Sequence, residues 1–430
     1  MRTNGGANQV ALTVIAPIKP GQQDALKRLL GDLGENPADN PLIPFGQFSQ
    51  LHFARLLVLD ETTDLQRAPI PAYLVFLSDV DAPLDRYLDR LVDVAGAGLD
   101  RIFGHCEGYP TSPTVTRAQR LRYLRTHMAK ASAAYVNTVG RTVEQVRQEA
   151  QLREAIQQFL DRSAPERPKW DALQVRAAIR KLVAREESLR WARRPAPLPP
   201  LSFRIREALH LVAVPLAGLA VSPALLVALP VGAVMLRRRE RTDPAPHLKP
   251  DPAHVLALAE LEDRLAQNQF SGVGLLKPGW FRWLVASAAL FLVDYGARHI
   301  YNRGQLAGVK TIHFARWVMI DGGRRLIFAS NYDGSLESYM DDFIDKVAWG
   351  LNAVFSNGYG YPRTNWLVFD GAKDEQAFKD FLRCHQVRTP VWYSAYGHLT
   401  ARNIENNARI RAGLYGKMSA AEAEEWVRRL

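Results

Sequence analysis

The chain contains one long segment twice, and this repetition restricts its fold more than any single motif does. Thr311–Pro362 reads TIHFARWVMIDGGRRLIFASNYDGSLESYMDDFIDKVAWGLNAVFSNGYGYP, and Leu51–Pro110 repeats it around a longer connection. Phe76–Pro110 aligns with Phe328–Pro362 without a gap. Both copies carry Ser78/Ser330, Asp81/Asp333, Tyr87/Tyr339, Gly98/Gly350 and Phe103/Phe355, and both close on Gly108-Tyr109-Pro110 or Gly360-Tyr361-Pro362. Upstream, His52-Phe53-Ala54-Arg55 matches His313-Phe314-Ala315-Arg316. The period is far too long for a solenoid, so two copies of one domain are expected.

Within the first copy, Gln9–Ile18 is rich in Val, Ile and Thr and alternates as a strand does. Lys19-Pro20-Gly21 punctuates it, and Leu26, Leu29, Leu30 and Leu33 then recur at helical spacing. Leu51–Asp60 and Ala72–Ser78 read as strands and Pro83–Phe103 as a helix, with Asp81 placed to cap it. Arg117–Leu160 reads as helix around a short strand near Ala131–Tyr135. In the second copy, Asn268-Gln269 and Lys277-Pro278-Gly279 echo Asn8-Gln9 and Lys19-Pro20-Gly21. Tyr396-x5-Arg402-x2-Glu405 echoes Tyr135-x5-Arg141-x2-Glu144. This β-α-β-β-α order predicts an α+β fold: two fused ferredoxin-like repeats, antiparallel sheets with helices on one face, plus a helical, membrane-associating insert. The boundaries expected are 8–160 for the first repeat, 161–267 for the insert, 268–415 for the second repeat and 416–430 for a helical tail.

The insert departs in composition. A basic amphipathic helix (Trp170–Trp191) and a Pro-rich break lead into Leu209–Leu236, which has no Asp, Glu, Lys or Arg. From Leu211 to Leu236 alone it exceeds the roughly 20 residues that span a bilayer. A buried core helix is the competing reading. Pro215, Pro223 and Pro230 argue against one straight helix, and Ser222-Pro223 divides the run into two arms. Basic residues flank both ends: Arg204 and Arg206 before, Arg237, Arg238 and Arg239 after. A re-entrant or interfacial hairpin over 209–236 keeps both flanks on the cytoplasmic face, whereas a span would not. A helix at Ala253–Gln267 should follow. In the second repeat, Trp280–His299 replaces a half-polar helix of the first with an apolar one opened by Trp280, Arg282 and Trp283, the composition of an interface anchor. The membrane-facing residues are thus Leu211, Leu216, Leu225, Leu236, Arg237, Arg238, Arg239, Trp280 and Trp283.

The net charge of +11 suits an anionic partner. The basic residues are scattered or lie beside apolar runs, which favours membrane lipid over nucleic acid. Two cysteines cannot make a disulfide framework, and the N-terminal apolar run is too short for a signal peptide. No cluster has metal-ligand spacing, and there is no phosphate loop or nucleophile elbow. Because both copies keep the His-Phe-Ala-Arg strand, the fold itself is expected to need it; on a regular strand His and Ala share one face, Phe and Arg the other. A functional pocket should use residues that one copy lacks, which points to the second. His313, Arg316, Asp333 and His398 are the catalytic candidates, and His299, Arg303, Asn331, Tyr332, Trp392, Tyr396 and Arg402 the ligand-binding ones.

Two fused ferredoxin-like repeats resemble the dimeric α+β-barrel superfamily, in the layout of dye-decolorizing peroxidases and chlorite-dismutase-like haem proteins. Those peroxidases carry a G-x-x-D-G motif; Ser330-Asn331-Tyr332-Asp333-Gly334 shares its Asp-Gly ending but not its leading Gly. The resemblance implies a haem or an apolar substrate in the second repeat and peroxidase-like redox chemistry, with His313, His398 or His299 as ligand and Arg316 or Asp333 as polar partner. The alternative is a non-catalytic, membrane-bound protein that holds lipid or acts as a scaffold. Oligomerisation stays open.

Overall fold

The computed structural model describes residues 9–110, 114–163, 170–302 and 304–430. The first half contains β1 (Gln9–Pro17), α1 (Gln23–Glu35), β2 (Leu51–Leu59), β3 (Thr62–Thr63), β4 (Pro69–Ile70), β5 (Tyr73–Asp81), α2 (Leu84–Phe103), α3 (Arg117–Thr126), β6 (Ala133–Val136) and α4 (Val143–Arg162). The middle holds α5 (Ala172–Arg185), α6 (Leu201–Thr242) and α7 (Pro252–Ala259). The second half contains β7 (Gln267–Leu275), α8 (Trp280–His299), β8 (Ile312–Ile320), β9 (Arg325–Asp333), α9 (Leu336–Phe355), β10 (Thr364–Asn365), β11 (Phe369–Asp370), α10 (Glu375–His385), β12 (Val391–Ser394), α11 (Ala401–Ala412) and α12 (Ala420–Val427). The fold is mixed α and β, with antiparallel sheets and one long apolar helix.

Two four-stranded sheets carry the fold, ordered β1-β5-β2-β12 and β7-β9-β8-β6. Each takes its last strand from the other half: β12 pairs with β2, and β6 pairs with β8. Neither half is therefore the self-contained ferredoxin-like unit expected at 8–160 or 268–415. The sheets also touch along both seams. Met128, just before β6, bridges Val14 on β1, and Gln386, just before β12, bridges Gly272 on β7. The eight strands thus run as a ring of two sheets joined at each seam by an isolated bridge, which partly covers the edges of β1 and β7.

The outer face of each sheet is buried under its own helices. Leu26, Leu30, Tyr87, Leu91 and Leu99 cover the first sheet, and Leu290, Tyr339, Phe343 and Leu351 the second. Between the sheets, Leu57, Val75 and Leu77 meet Val318, Ile327 and Ala329. The helices of the insert and tail are not independent of this body. Val183 and Ile179 of α5 pack with Leu152 and Ile156 of α4, Ile410 of α11 and Trp426 of α12.

Matched bonds explain many of the repeated residues. Tyr87 Oη and Ser78 Oγ are 3.1 Å apart, and Tyr339 donates to Ser330 Oγ at 2.8 Å. The tyrosine of each Gly-Tyr-Pro donates to position 100 or 352: Tyr109 to Asp100 at 2.6 Å, Tyr361 to Asn352 at 2.8 Å. Its glycine has positive φ in both copies (Gly108 67°, Gly360 82°), which a side chain would strain. Lys19 and Lys277 each donate to the carbonyl of a helix C-cap, Gly104 at 2.7 Å and Ser356 at 2.9 Å, where the helix dipole favours a cation.

Several local expectations are corrected. The Tyr135/Tyr396 match slips by three residues: Tyr135 pairs with Ala315 and Tyr393 with its counterpart Ala54, so Tyr393 is the equivalent. Gln9 and Gln267, not Gln269, correspond; each pairs with the aspartate that ends the neighbouring strand, Asp81 or Asp333. The helix expected at Ala253–Gln267 stops at Ala259, because β7 already begins at Gln267. The Trp170–Trp191 helix ends at Arg185 and continues as a 3-10 turn. The 209–236 hairpin does not form. Pro215, Pro223 and Pro230 all lie inside one 42-residue helix, and Ser222 donates to Leu219 O at 2.7 Å, bonding back into that helix.

Candidate functional site

A β-bulge at Leu51/Phe53 and another at Ile312/Phe314 interrupt the strand alternation next to each histidine. His and Phe therefore both reach the space between the sheets rather than opposite faces. His52 meets Phe314 (ring centroids 5.2 Å), Phe53 meets His313 (5.6 Å), and the two phenylalanines meet each other (5.6 Å). Each histidine bonds an aspartate of its own half: His52 Nε2 to Asp81 at 3.1 Å, His313 Nε2 to Asp333 at 2.7 Å. The second carboxylate oxygen accepts from the first backbone N–H of a later helix, Val143 at 3.1 Å or Ala401 at 2.8 Å. The aspartates thus satisfy the first amides of α4 and α11, whose N-caps are Thr142 and Thr400, and do not cap α2 or α9. Pro83 and Ser335 precede those helices instead.

The arginines of the repeated motif cross between sheets. Arg55 Nη1 donates to Phe270 O at 2.8 Å and Ser271 Oγ at 2.9 Å, and Nη2 donates to Ser330 O and Asn331 Oδ1. Arg316 donates to Leu12 O, Thr13 Oγ1, Ser78 O and the Asp79 carboxylate. Burial pulls the Arg55 guanidinium down to about 9; Asp79 opposes that shift and Arg316 reinforces it. Arg55 remains charged at neutral pH, held by neutral acceptors alone. Such a network is costly to break and fixes how the sheets face each other.

Of the candidates drawn from sequence, His313, Arg316, Asp333, Asn331, Trp392 and Tyr396 do meet between the sheets. Trp392 donates to Asn331 Oδ1 at 3.0 Å, and Tyr396 lies 2.7 Å from His52 Nδ1. Arg316, Asn331 and Tyr396 bond first-half residues and His313 packs on Phe53, so the set bolts the two halves together instead of lining a pocket of the second half alone. Tyr332 faces the other way and stacks on Tyr339 under α9. His398 and Arg402 lie exposed at the surface. His299 ends α8 and bonds His210 across 2.8 Å. Arg303 lies outside the described residues. Haem does not fit at His313, which is 3% exposed, bonds Asp333 through Nε2 and packs against Phe53 and Tyr396. Among the described residues no group of three His, Cys, Asp or Glu could hold a metal. Arg55, His52 and Asp79 belong to the same network, although residues unique to the second copy do not point to them; the exchange of Asp79 for Asn331 between the aligned copies is the sequence feature that does.

The exposed apolar surface lies elsewhere. The most apolar stretch of α6 is 0% buried, with Leu219, Leu226, Val227 and Leu229 between 62% and 75% exposed. Its ends are docked. Near the start, His210 bonds His299 and Tyr295 donates to Leu211 O at 3.0 Å. At the far end, Glu240 accepts from Thr364 Oγ1 at 3.1 Å, Trp366 N at 3.0 Å and Leu367 N at 2.7 Å, while Asp243 meets Arg282 at 2.8 Å. His210 to Asp243 spans about 50 Å of helix, but His299 to Arg282 spans only about 26 Å of α8. α6 must therefore bow away from α8, and its three prolines supply the bends. Beneath this arch, α8 exposes Trp280, Trp283, Leu284, Phe291 and Leu292. Arg282, expected beside the tryptophans at the interface, is buried and ties down the arch instead. Arg237 and Arg239 are engaged by Glu240 and Asp243; among the described residues Arg238 has no ion pair.

Cavities among the described residues lie at two places of interest. One of 530 Å³ lies at the seam between β12 and β7, with Lys27, Asp60, His385 and Arg388 in its wall. Two others, of 250 and 360 Å³, flank the first turns of α6, and Glu207 and Arg298 line both. Burial pushes the Asp294 carboxyl in the larger of these up, with Arg298 at 3.1 Å pulling it back. Burial likewise lowers His299, against the pull of Glu207.

No protein-family model, curated protein or solved structure matches the chain.

Proposed function

We propose that this protein is a monotopic membrane protein, held to one face of a bilayer by the α6 arch and the apolar side of α8, with the strand ring as its rigid base. One observation carries the reading: a long helix is exposed along its charge-free run, Leu209–Leu236, while both its ends dock on the same body. A spanning helix would place its ends about 30 Å apart on opposite faces. An arch dips into one leaflet and returns. The role assigned is lipid contact and scaffolding, not redox catalysis. We further read the two halves as copies of one unit that exchange their fourth strands. The matched strand orders, the matched Lys19 and Lys277 caps and the kinks at Ala95 and Val347 support this.

Flotation with phosphatidylcholine vesicles tests the attachment. The wild type should float and stay bound in high salt, because apolar burial outweighs charge. Leu219→Glu with Leu226→Glu should remain in the dense fractions. In a Cys384→Ser background, Arg204→Cys and Arg241→Cys should both react with an impermeant maleimide added outside the vesicles. Wild type that is monodisperse without detergent and ignores vesicles would overturn the reading. Protection of one cysteine alone would replace the arch by a span.

A further inference from the structure

We propose that the two cavities at the foot of the arch bind the phosphate headgroup of an anionic membrane lipid. This rests on the membrane reading above and goes beyond it to a site and a lipid class. The 360 Å³ cavity is walled by Lys130, Arg206 and Arg298, against the carboxylates of Glu207 and Asp294. Three fixed cations thus face two anions. One cation is in excess, and the pairs differ in how tightly they are closed. Asp294 is committed to Arg298 at 3.1 Å and to the Ala134 N–H at 3.3 Å. Glu207 reaches Arg206 only at 3.6 Å, and Lys130, exposed at the rim, has no ion pair among the described residues.

The same cavity is also lined by Leu290 and Phe291, and the smaller one by Phe203 and Leu211. The charge-free run of α6 begins at Leu209, just after Glu207 of the wall. Cations and apolar side chains in one wall, next to an exposed apolar helix, suit a molecule with a phosphate head and acyl chains. A soluble phosphate would have no use for Phe203, Leu211 and Phe291. The His210–His299 bond and the Tyr295 bond to Leu211 O hold the two walls together, so the site is built before a ligand arrives.

The test compares binding of full-length protein to vesicles of phosphatidylcholine alone and with phosphatidylglycerol. Wild type should prefer the anionic vesicles. Lys130→Gln with Arg206→Gln should reduce that preference by roughly thirtyfold, the effect of two cations at a membrane surface. The control is Arg238→Gln with Arg241→Gln, which removes the same charge from the other end of the arch and should have a much smaller effect. Both pairs are surface positions, and an unchanged melting temperature confirms that each variant folds. Equal losses in the two variants would mean diffuse attraction and overturn the site. Displacement by inorganic phosphate beyond that by chloride of equal ionic strength would make the ligand a soluble phosphate and overturn the lipid assignment. Binding to phosphatidylcholine without any gain from phosphatidylglycerol defeats this inference alone, whereas no binding to either vesicle defeats the membrane reading itself.

Discussion

Arg316 crosses from the second sheet to the carboxylate of Asp79 on the first, while Arg55, making the opposite crossing, ends on the amide of Asn331. The two arginines occupy equivalent places, but only one finds a carboxylate. Among the described residues, Asp79 is therefore the one carboxylate that bonds either of the two buried guanidinium groups. It also accepts from Asn331 Nδ2 at 3.4 Å, which links both crossings.

Asp79→Asn should accordingly be among the most damaging conservative changes in the chain. It keeps the shape but leaves two buried cations facing neutral acceptors. A loss of about 3–5 kcal/mol is expected, as for other buried pairs stripped of one partner. The unfolding midpoint in urea measures it. A change below about 1 kcal/mol would show that water or a rearranged carboxylate reaches the arginines, contrary to the packed geometry.

Lys277 gives a pH prediction with a definite sign. Burial pulls its ammonium down from 10.5 to about 8; Arg282 adds to that shift, and Asp243 and Glu240 oppose it. Between those two values the unfolded chain binds more protons than the folded one. Stability should therefore rise as pH increases through this window, and the cost of the buried charge is fully present below it. Urea midpoints for wild type and Lys277→Met, measured across the window, isolate the effect. The rise should be smaller in the variant; identical pH profiles would mean that Lys277 is solvated in the native state.

Glu240→Ala should free the far end of the arch. Trp366 and Leu367 both hold positive φ (53° and 67°) without being glycines, a strained pair that the Glu240 carboxylate fixes by accepting from both amides. Each charge-assisted bond contributes about 1.5–3 kcal/mol. Amide exchange at these two residues should accelerate at least tenfold, while exchange in β8 and β9 stays unchanged. Uniform acceleration throughout would mean global destabilisation instead.

The sequence by itself determined that one unit occurs twice, and it did so through residues with fixed local duties. Ser78 and Ser330 meet a tyrosine nine positions on, the Gly-Tyr-Pro turns need a left-handed glycine, and Lys19 and Lys277 reach a helix end. Such short-range duties leave spacing signatures. It also marked the apolar run Leu209–Leu236, since a stretch without charge is visible from composition, whereas that the run is one exposed helix and not a hairpin was decided by the structure. Only the tertiary structure decided which half each fourth strand joins, because β6 and β12 are four residues long and fit either sheet equally well by pattern. It decided the site too. The partners of Arg55 and Arg316 lie more than 200 positions away in sequence, and the bulges that turn His52 and His313 inward break the alternation from which strand faces are read. Pro215, Pro223 and Pro230 all lie inside one helix, whose ends are held by Glu240 and His210 through contacts that no local pattern encodes.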